Sequence, residues 1–533
     1  MPAVLGTLGL ILVAQATSYV LIPGLNRRHC AHLLEIMDRS ARGPSLLGVS
    51  LPVVSFSIGT LGLMPYCAAA VWLQLFGFAR AHMSGRRQHA LPQAGSHFWV
   101  MSLTLVFCLL QACFLARWME RVGTMHGAVV TSPGPSFRVV ANLSMTAGTF
   151  LLVWIATRIT RLGVCNGFLA ILSIGAISDL RRTLAWAWSE GPVVGYEKTA
   201  IACLSYVAAF LAAFLFLRAT RLLRVRNGRR GGHTDLGLAI GLGSTGGAPL
   251  ILTGWAVLAA ATAMQSGGLS RWAMQWSPGV SETQTLVAAA VTVPVAWLTV
   301  WASTTATRAS DDLLAAGLYL PGVRPGSPTA DHLKRVMLRM SLPAGVLLGL
   351  VCVLPLLWGF LGAETRRVGP PVSGAWVLLL AAFLVDARGR WRSWGVAPPS
   401  VPSPPAAMSA PVPATCPACG LDVEPGFVVC WSCEAALVPL TPSSSAPPTV
   451  DPEEAWREVS RHNTAIDAQV AQLRLTAEGV PSRLCDLNLV HANWFLSWAV
   501  GGIRVEVPAS RSERAGAVLG DLVAPVSPAA AAK

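Results

Sequence analysis

Four cysteines toward the C-terminus fall in a pattern with one chemical use. Cys416-Pro417-Ala418-Cys419 and Cys430-Trp431-Ser432-Cys433 are two CxxC turns separated by ten residues. Each such turn aims two thiolates at one ion, and two turns together close a tetrahedral sulfur shell suited to zinc. Four thiolates leave no coordination position for a substrate, so one structural zinc is expected. Gly420 supplies the permissive backbone that follows such a turn. The segment is too short to bury an apolar core, which makes the metal its folding energy. A redox pair of thioredoxin type would need a surrounding βαβ pattern, and none flanks these residues. Ligand thiols must stay reduced, which places the module in the cytosol. Cys30, Cys67, Cys108, Cys113, Cys165, Cys203 and Cys352 are scattered through apolar sequence and read as small packing residues.

No other constellation of catalytic type is present. His462 and His491 have no evident partner in the sequence, and an enzyme is not expected. What surrounds the cysteine module is membrane-like. Of 533 residues 53% are hydrophobic and only 12% charged, against about 25% charged in a soluble chain. Such a chain cannot cover itself with polar groups, so the bilayer is its expected solvent. The 19 tryptophans suit interfacial anchoring. The net charge of +14 sits in short arginine-rich loops between apolar runs and comes with no recognition motif. Sequence-specific nucleic-acid binding is therefore not expected.

The apolar runs lie near 3–23, 51–79, 97–116, 139–157, 164–178, 199–217, 236–264, 284–303, 340–361 and 372–386. These predict about ten transmembrane helices. The opening run lacks a basic flank and reads as a retained helix rather than a signal peptide. Two runs are interrupted, at Gly59, Gly62 and Pro65 and at Gly241, Gly243, Gly246, Gly247 and Pro249. Broken helices survive in a bilayer only where protein or water satisfies the freed backbone. Arginines gather in alternate loops, among them Arg80, Arg86, Arg87, Arg158, Arg161, the cluster Arg218 to Arg230, and Arg308 to Arg339. Arg27, Arg28, Arg39 and Arg42 stand against the trend. The bias puts both termini in the cytoplasm. Asp386 falls at the end of the last run and is expected at the interface.

The domains divide as 1–395 in the membrane, a Pro-rich linker at 396–413, the cysteine module at 414–440, a second linker at 441–451, an α+β domain at 452–523 and a tail at 524–533. Within the α+β domain the pattern predicts strands near 455–460, 482–487 and 502–507, with helices near 464–478 and 509–521.

Several stretches resemble the SecY family of protein-conducting channels. Ser55-Phe56-Ser57-Ile58-Gly59-Thr60-Leu61-Gly62-Leu63-Met64-Pro65-Tyr66, followed by Gln74-Leu75, is similar to that family's second span. Ile22-Pro23-Gly24-Leu25-Asn26 resembles the end of its first span. The stretch from Gly148-Thr149 through Ile159-Thr160-Arg161-Leu162-Gly163-Val164-Cys165-Asn166-Gly167 resembles its fourth and fifth spans and their link. Leu320-Pro321-Gly322-Val323-Arg324-Pro325-Gly326-Ser327-Pro328-Thr329-Ala330 resembles a cytosolic loop. The resemblance covers roughly 1–390.

It implies an all-α membrane fold of two pseudo-symmetric five-helix halves around an hourglass pore, plugged by a half-helix near Val49 to Gly59. Alignment by the flanking motifs puts the apolar pore ring near Leu63, Cys67, Phe168, Leu172, Ile251 and Leu379. It implies that the loop bearing Arg324 docks SecA or the ribosome, that SecE- and SecG-like subunits join the channel, and that the membrane is the bacterial plasma membrane. The sequence departs from the family in several places. Gly243 to Ala248 lacks the family's asparagine, the basic amphipathic start is missing, and Cys67 and Phe168 stand where isoleucine is usual. A divergent or paralogous member is expected.

The terminal domain has a resemblance of its own. Glu478-Gly479-Val480-Pro481 and Ala499-Val500-Gly501-Gly502-Ile503-Arg504-Val505-Glu506-Val507-Pro508 resemble a small family of prokaryotic signal-transducing proteins. That resemblance implies a ferredoxin-like α+β fold and a binding or regulatory role. Three functions are thereby open: a protein-conducting channel subunit, a SecY-like scaffold that recruits partners without translocating, or a small-solute transporter.

Overall fold

The computed structural model describes residues 2–32, 56–70, 93–126, 129–162, 165–173, 196–228, 236–242, 305–354, 374–393, 413–424, 427–437, 454–487 and 501–520, with a few isolated positions besides. Among the described residues, seven helices build the body: α1 (Pro2–Ala16), α2 (Gln93–His126), α3 (Pro135–Leu162), α4 (Tyr196–Arg218), α5 (Thr305–Ala315), α6 (Ser327–Val353) and α7 (Gly374–Ser393). Short helical turns at 64–70 and 167–173 lie between them. Among the described residues, Phe98–Glu120 and Pro135–Leu162 are long and apolar enough to cross a membrane, and Val4–Ala16 and Cys203–Arg218 are apolar but shorter.

Burial explains why these helices need lipid. On α4, Ala209, Ala212, Ala213 and Phe216 are buried, whereas Leu204, Val207, Leu211 and Leu215 are more than half exposed. On α1 Leu5, Leu8 and Leu12 are likewise bare. Helices apolar on both faces fit a protein interior on one side and hydrocarbon on the other. α1 and α2 pack on α3, while α4 packs on α6 and α7. One apolar core, running from Leu152 and Ile155 on α3 through Tyr206 on α4 to Leu378 and Ala381 on α7, joins the two groups.

The joint between the first two runs is not helical. The Ile22 N–H donates to the Phe56 carbonyl and the Ile58 N–H to the Val20 carbonyl. On the other side of this strand-like piece, Asn26 donates to Val129 and Thr131 to Gly24. Gly24 takes φ 90°, a backbone state that glycine adopts without cost. Gly148 of α3 lies against the same joint: a Cβ there would sit 2.0 Å from the Ile58 carbonyl oxygen.

The structure corrects two expectations. The apolar run at 236–264 opens as a strand rather than a helix. β2 (Leu236–Gly241) pairs antiparallel with β1 (Thr220–Asn227), which takes up much of the arginine cluster expected as a loop. Leu238 and Ile240 are buried, and alternation at period two serves a half-buried hairpin. The described end of the expected plug, residues 56–59, is turn and not half-helix; its earlier residues lie outside the described ones. Asp386, expected at the interface, is 6% exposed within α7.

The C-terminal domain follows the predicted pattern: β4 (Trp456–His462), α8 (Ala465–Ala477), β5 (Arg483–Cys485), β6 (Ile503–Pro508) and α9 (Ser512–Leu519). β6 lies between β4 and β5, antiparallel to both. α8 starts at Thr464, whose side chain accepts from the Asp467 N–H. Its Ala471 and Leu475 pack with Val505, Val507 and Leu519 in the domain's own core.

Candidate functional site

Two sites matter. The first is the set of residues expected to form an apolar waist. Leu63, Cys67 and Phe168 are buried in the common core, and Leu172 packs against it half-buried. The Tyr66 and Phe168 rings stack, with centroids 5.2 Å apart and planes 11° from parallel. Leu379 belongs to α7, whose neighbouring Val377 and Leu378 enter the same core. Ile251 lies outside the described residues.

Phe168 owes its place to the turn before it. The Asn166 side-chain oxygen accepts from the backbone N–H of Phe168 and of Leu169, capping the 167–173 helix. The Gly167 N–H donates to Thr160 Oγ1. A Cβ on Gly167 would lie 2.0 Å from the Ala156 carbonyl oxygen, so only glycine fits there.

The second site is the cysteine module, built as two copies of one turn. Cys416 N–H donates to Leu421 O and Gly420 N–H to Cys416 O. In the second copy Cys430 N–H donates to Ala435 O and Glu434 N–H to Cys430 O. Gly420 has φ 71° and its counterpart Glu434 φ 63°. The four Sγ atoms lie within 4.8 Å of one another. Cys416 to Cys433 and Cys419 to Cys430 are each 3.6 Å. Thiolates about 2.3 Å from a shared tetrahedral ion stand about 3.8 Å apart, so the four fit a metal ion. The Cys419 backbone N–H lowers the Cys416 thiol to about 7, whereas burial and the neighbouring thiols raise those of Cys419 and Cys433.

The module does not stand free. Its second turn is seated on β1, on β3 (Leu318–Tyr319) and on the loop that carries Arg324. The Val428 N–H donates to the Gly228 carbonyl at 2.6 Å, and the Gly322 N–H to the Trp431 carbonyl at 3.2 Å. Glu434 pairs with Arg226. Glu424 stands 3.8 Å from Arg324 Nε, in a pair more than half exposed on the arginine side. The Phe427 ring lies against Gly228, where a Cβ would come within 2.5 Å of it, and 5.8 Å from the Tyr319 ring.

The α+β domain is seated on the body as well. Ile466, Val470 and Leu473 of α8 enter the common core of the bundle, and α8 packs on β2 and α5. Arg308 of α5 lies 3.6 Å from Asp467. The Asn166 amide, which caps the waist helix with its oxygen, donates through its nitrogen to Asp486 Oδ1 at 2.9 Å. Asp486 is 1% exposed and also accepts from Arg504 Nε at 2.8 Å.

Sequence reasoning missed these seams. Only one signal for them was available: α8 carries a second apolar stripe, Ile466, Val470 and Leu473, beyond the one its own sheet uses. Cys485, absent from both cysteine groups drawn above, is buried at the end of β5. His462 has a partner after all, Ser460 Oγ at 3.1 Å, and burial lowers its pKa. His491 lies outside the described residues.

Comparisons with known proteins bear on the body of the chain. Residues 57–386 match the SecY family model. The chain is 26% identical over 369 residues to the protein translocase subunit SecY of Haemophilus influenzae, covering 65% of this chain and 82% of that one. The same subunit of Mycobacterium leprae is 24% identical over 416 residues, covering 72% of this chain and 92% of the relative. Among solved structures, one described as a protein conducting channel superposes with a TM-score of 0.47 at 14% identity, covering 72% of this chain and 90% of that one.

Proposed function

This chain belongs to the SecY family, and from that premise we propose that it is a protein-conducting channel subunit of a membrane. The observation that carries the reading is the family match across 57–386, a range that takes in the ring positions and the Arg324 loop together. The family conducts polypeptides and performs no covalent chemistry, so this chain is not an enzyme.

The physics of the waist supports the reading. A narrow apolar neck excludes water and ions at rest and yields to a passing chain. Leu63, Cys67, Phe168, Leu172, Ile251 and Leu379 are the ring, within ten spans in the bacterial plasma membrane with both termini cytoplasmic. SecE- and SecG-like subunits complete the channel, and SecA or the ribosome docks at Arg324. The cysteine module is a zinc ribbon held by Cys416, Cys419, Cys430 and Cys433. The metal supplies its folding energy and no reaction step. The α+β domain is a ferredoxin-like binding module.

Photocrosslinkers at Leu63 and Phe168 test the channel reading against a stalled nascent chain. Adducts at both positions, with none at lipid-facing Val207, are expected. Adducts confined to 416–521 would replace the channel with a scaffold that recruits partners. That second reading draws support from the seating of both tail modules on the body.

A further inference from the structure

The loop of Arg324 is the part of this body that the preceding reading assigns to incoming partners, yet its polar groups are already engaged. The Gly322 N–H is given to Trp431, Arg226 to Glu434, and Arg324 faces Glu424. β1 is followed by Gly228, whose carbonyl accepts from Val428. These partners all belong to one module of the same chain, whose net contribution at this seam is two carboxylates against two guanidinium groups. Such complementarity of charge and backbone is how a specific protein partner is recognised.

The two turns of the module differ in a way that fits this seat. Phe427, Val428 and Val429, which lead into the second turn, are buried, whereas around the first turn only Cys416 is. Glu434 holds a left-handed φ of 63° where the first turn has glycine. A glutamate costs backbone energy there, and its carboxylate is the group that reaches Arg226.

We propose that the four-cysteine module is the resident occupant of the 317–326 loop and the end of β1, seated in cis and released when its metal is removed. The seat exists only while the module is folded, because its contacts come from the geometry that the four sulfurs impose. Any acidic partner of Arg226 and Arg324 must first displace Glu434 and Glu424. This inference rests on the docking role given to the loop above, but its test does not need translocation.

The test is hydrogen exchange on the full chain in lipid nanodiscs, with bound zinc counted in parallel. Stripping the metal with a strong chelator is expected to speed exchange about tenfold or more in peptides covering 226–228 and 317–326, as well as in 413–437. The double variant Phe427→Ala/Glu434→Gln is expected to open the same loop while keeping one zinc per chain. Exchange at 317–326 that stays unchanged while 413–437 opens would overturn the proposal. An equal rise at 129–131, remote from the module, would overturn it too, because it would mean general loosening. Absence of nascent-chain adducts at Leu63 would sink the channel reading and leave these exchange results standing.

Discussion

The waist and the cysteine module hold their shapes by opposite means, and the contrast says where each is vulnerable. The waist is redundant: Leu63, Cys67 and Phe168 share one core with some forty other buried side chains, so losing one loosens it without dissolving it. The module has no such reserve. Its buried apolar residues, Phe427, Val428 and Val429, lie beside one turn, and Phe427 is turned toward Gly228 and Tyr319 rather than inward. Four sulfurs carry the rest.

Breaking the module should therefore be all or none. Cys430→Ser is expected to abolish zinc binding and to make 413–437 a protease-sensitive segment, while α3 and α4 keep their helical signal by circular dichroism. Retention of a folded, zinc-bound module in that variant would mean that the four thiolates do not act as a set.

The waist should respond by degrees. Phe168→Ala removes a buried ring and its stack on Tyr66, and a loss of about 3–5 kcal/mol is expected for such a truncation. The chain should still insert, with ion leak across planar bilayers raised above that of the parent. An unchanged leak would argue that Phe168 packs the wall without sealing the neck.

Between the two regions lies the seam at Asp486. Asp486→Ala leaves Arg504, only 12% exposed, with Glu506 at 3.2 Å as its remaining carboxylate. It also removes the acceptor for the Asn166 amide. A loss near the low end of the buried-pair range, about 3 kcal/mol, is expected in the denaturation of the α+β domain. The same variant should raise exchange at 165–169, because the cap of the waist helix loses its outer anchor. If 165–169 is unmoved, the seam holds the domain in place without steadying the waist.

A milder lever is pH. Asp312 of α5 is pushed up to about 6, first by burial and then by facing Asp467 of α8, with Asp311 adding to the rise and Arg308 and Arg474 opposing it. Burial lowers the pKa of His462, beside Asp467 in the same domain, and the Asp467 carboxylate opposes that shift. A group whose pKa is raised in the docked state binds its proton more tightly there. Docking of α8 is therefore strongest below the ordinary carboxylate pKa of about 4 and weakens as pH rises through about 6. Exchange protection of 305–315 should fall a few-fold between pH 5 and pH 7.5, with Asp312→Asn removing the dependence.

How much of this was readable in advance differs between the regions for a physical reason. Metal ligands need particular atoms at fixed spacing, so Cys416 to Cys433 declared themselves. Periodicity likewise placed every described strand and helix of 456–519 to within a few residues. The waist needs only apolar volume, which many sequences supply. Its residues stood out only through order and neighbours such as Asn166-Gly167, where a cap and a close backbone approach constrain the choice. The strand at 236–241 was misread because Leu-Gly-Leu-Ala-Ile-Gly suits a helix in lipid as well as a hairpin edge. The pairing partner that decides between them, β1, looked like a basic loop. The seams were least legible, since carboxylates such as Glu424, Glu434 and Asp486 look solvated until their arginines are located.

Glu434 offers the finest test of the contrast, because it belongs to both regimes at once. Within the module its left-handed φ of 63° costs about 1 kcal/mol relative to glycine. At the seam its carboxylate holds Arg226, in a pair whose side chains are 19% and 36% exposed and which is therefore worth about 1 kcal/mol or less. Glu434→Gly should thus leave zinc affinity equal to or tighter than that of the parent, by about fivefold at most. Exchange at 226–228 should rise a few-fold in the same protein. The two readouts move in opposite directions only if the residue is strained locally to serve a contact elsewhere. Weaker zinc binding with an undisturbed β1 would show that Glu434 serves the metal turn alone.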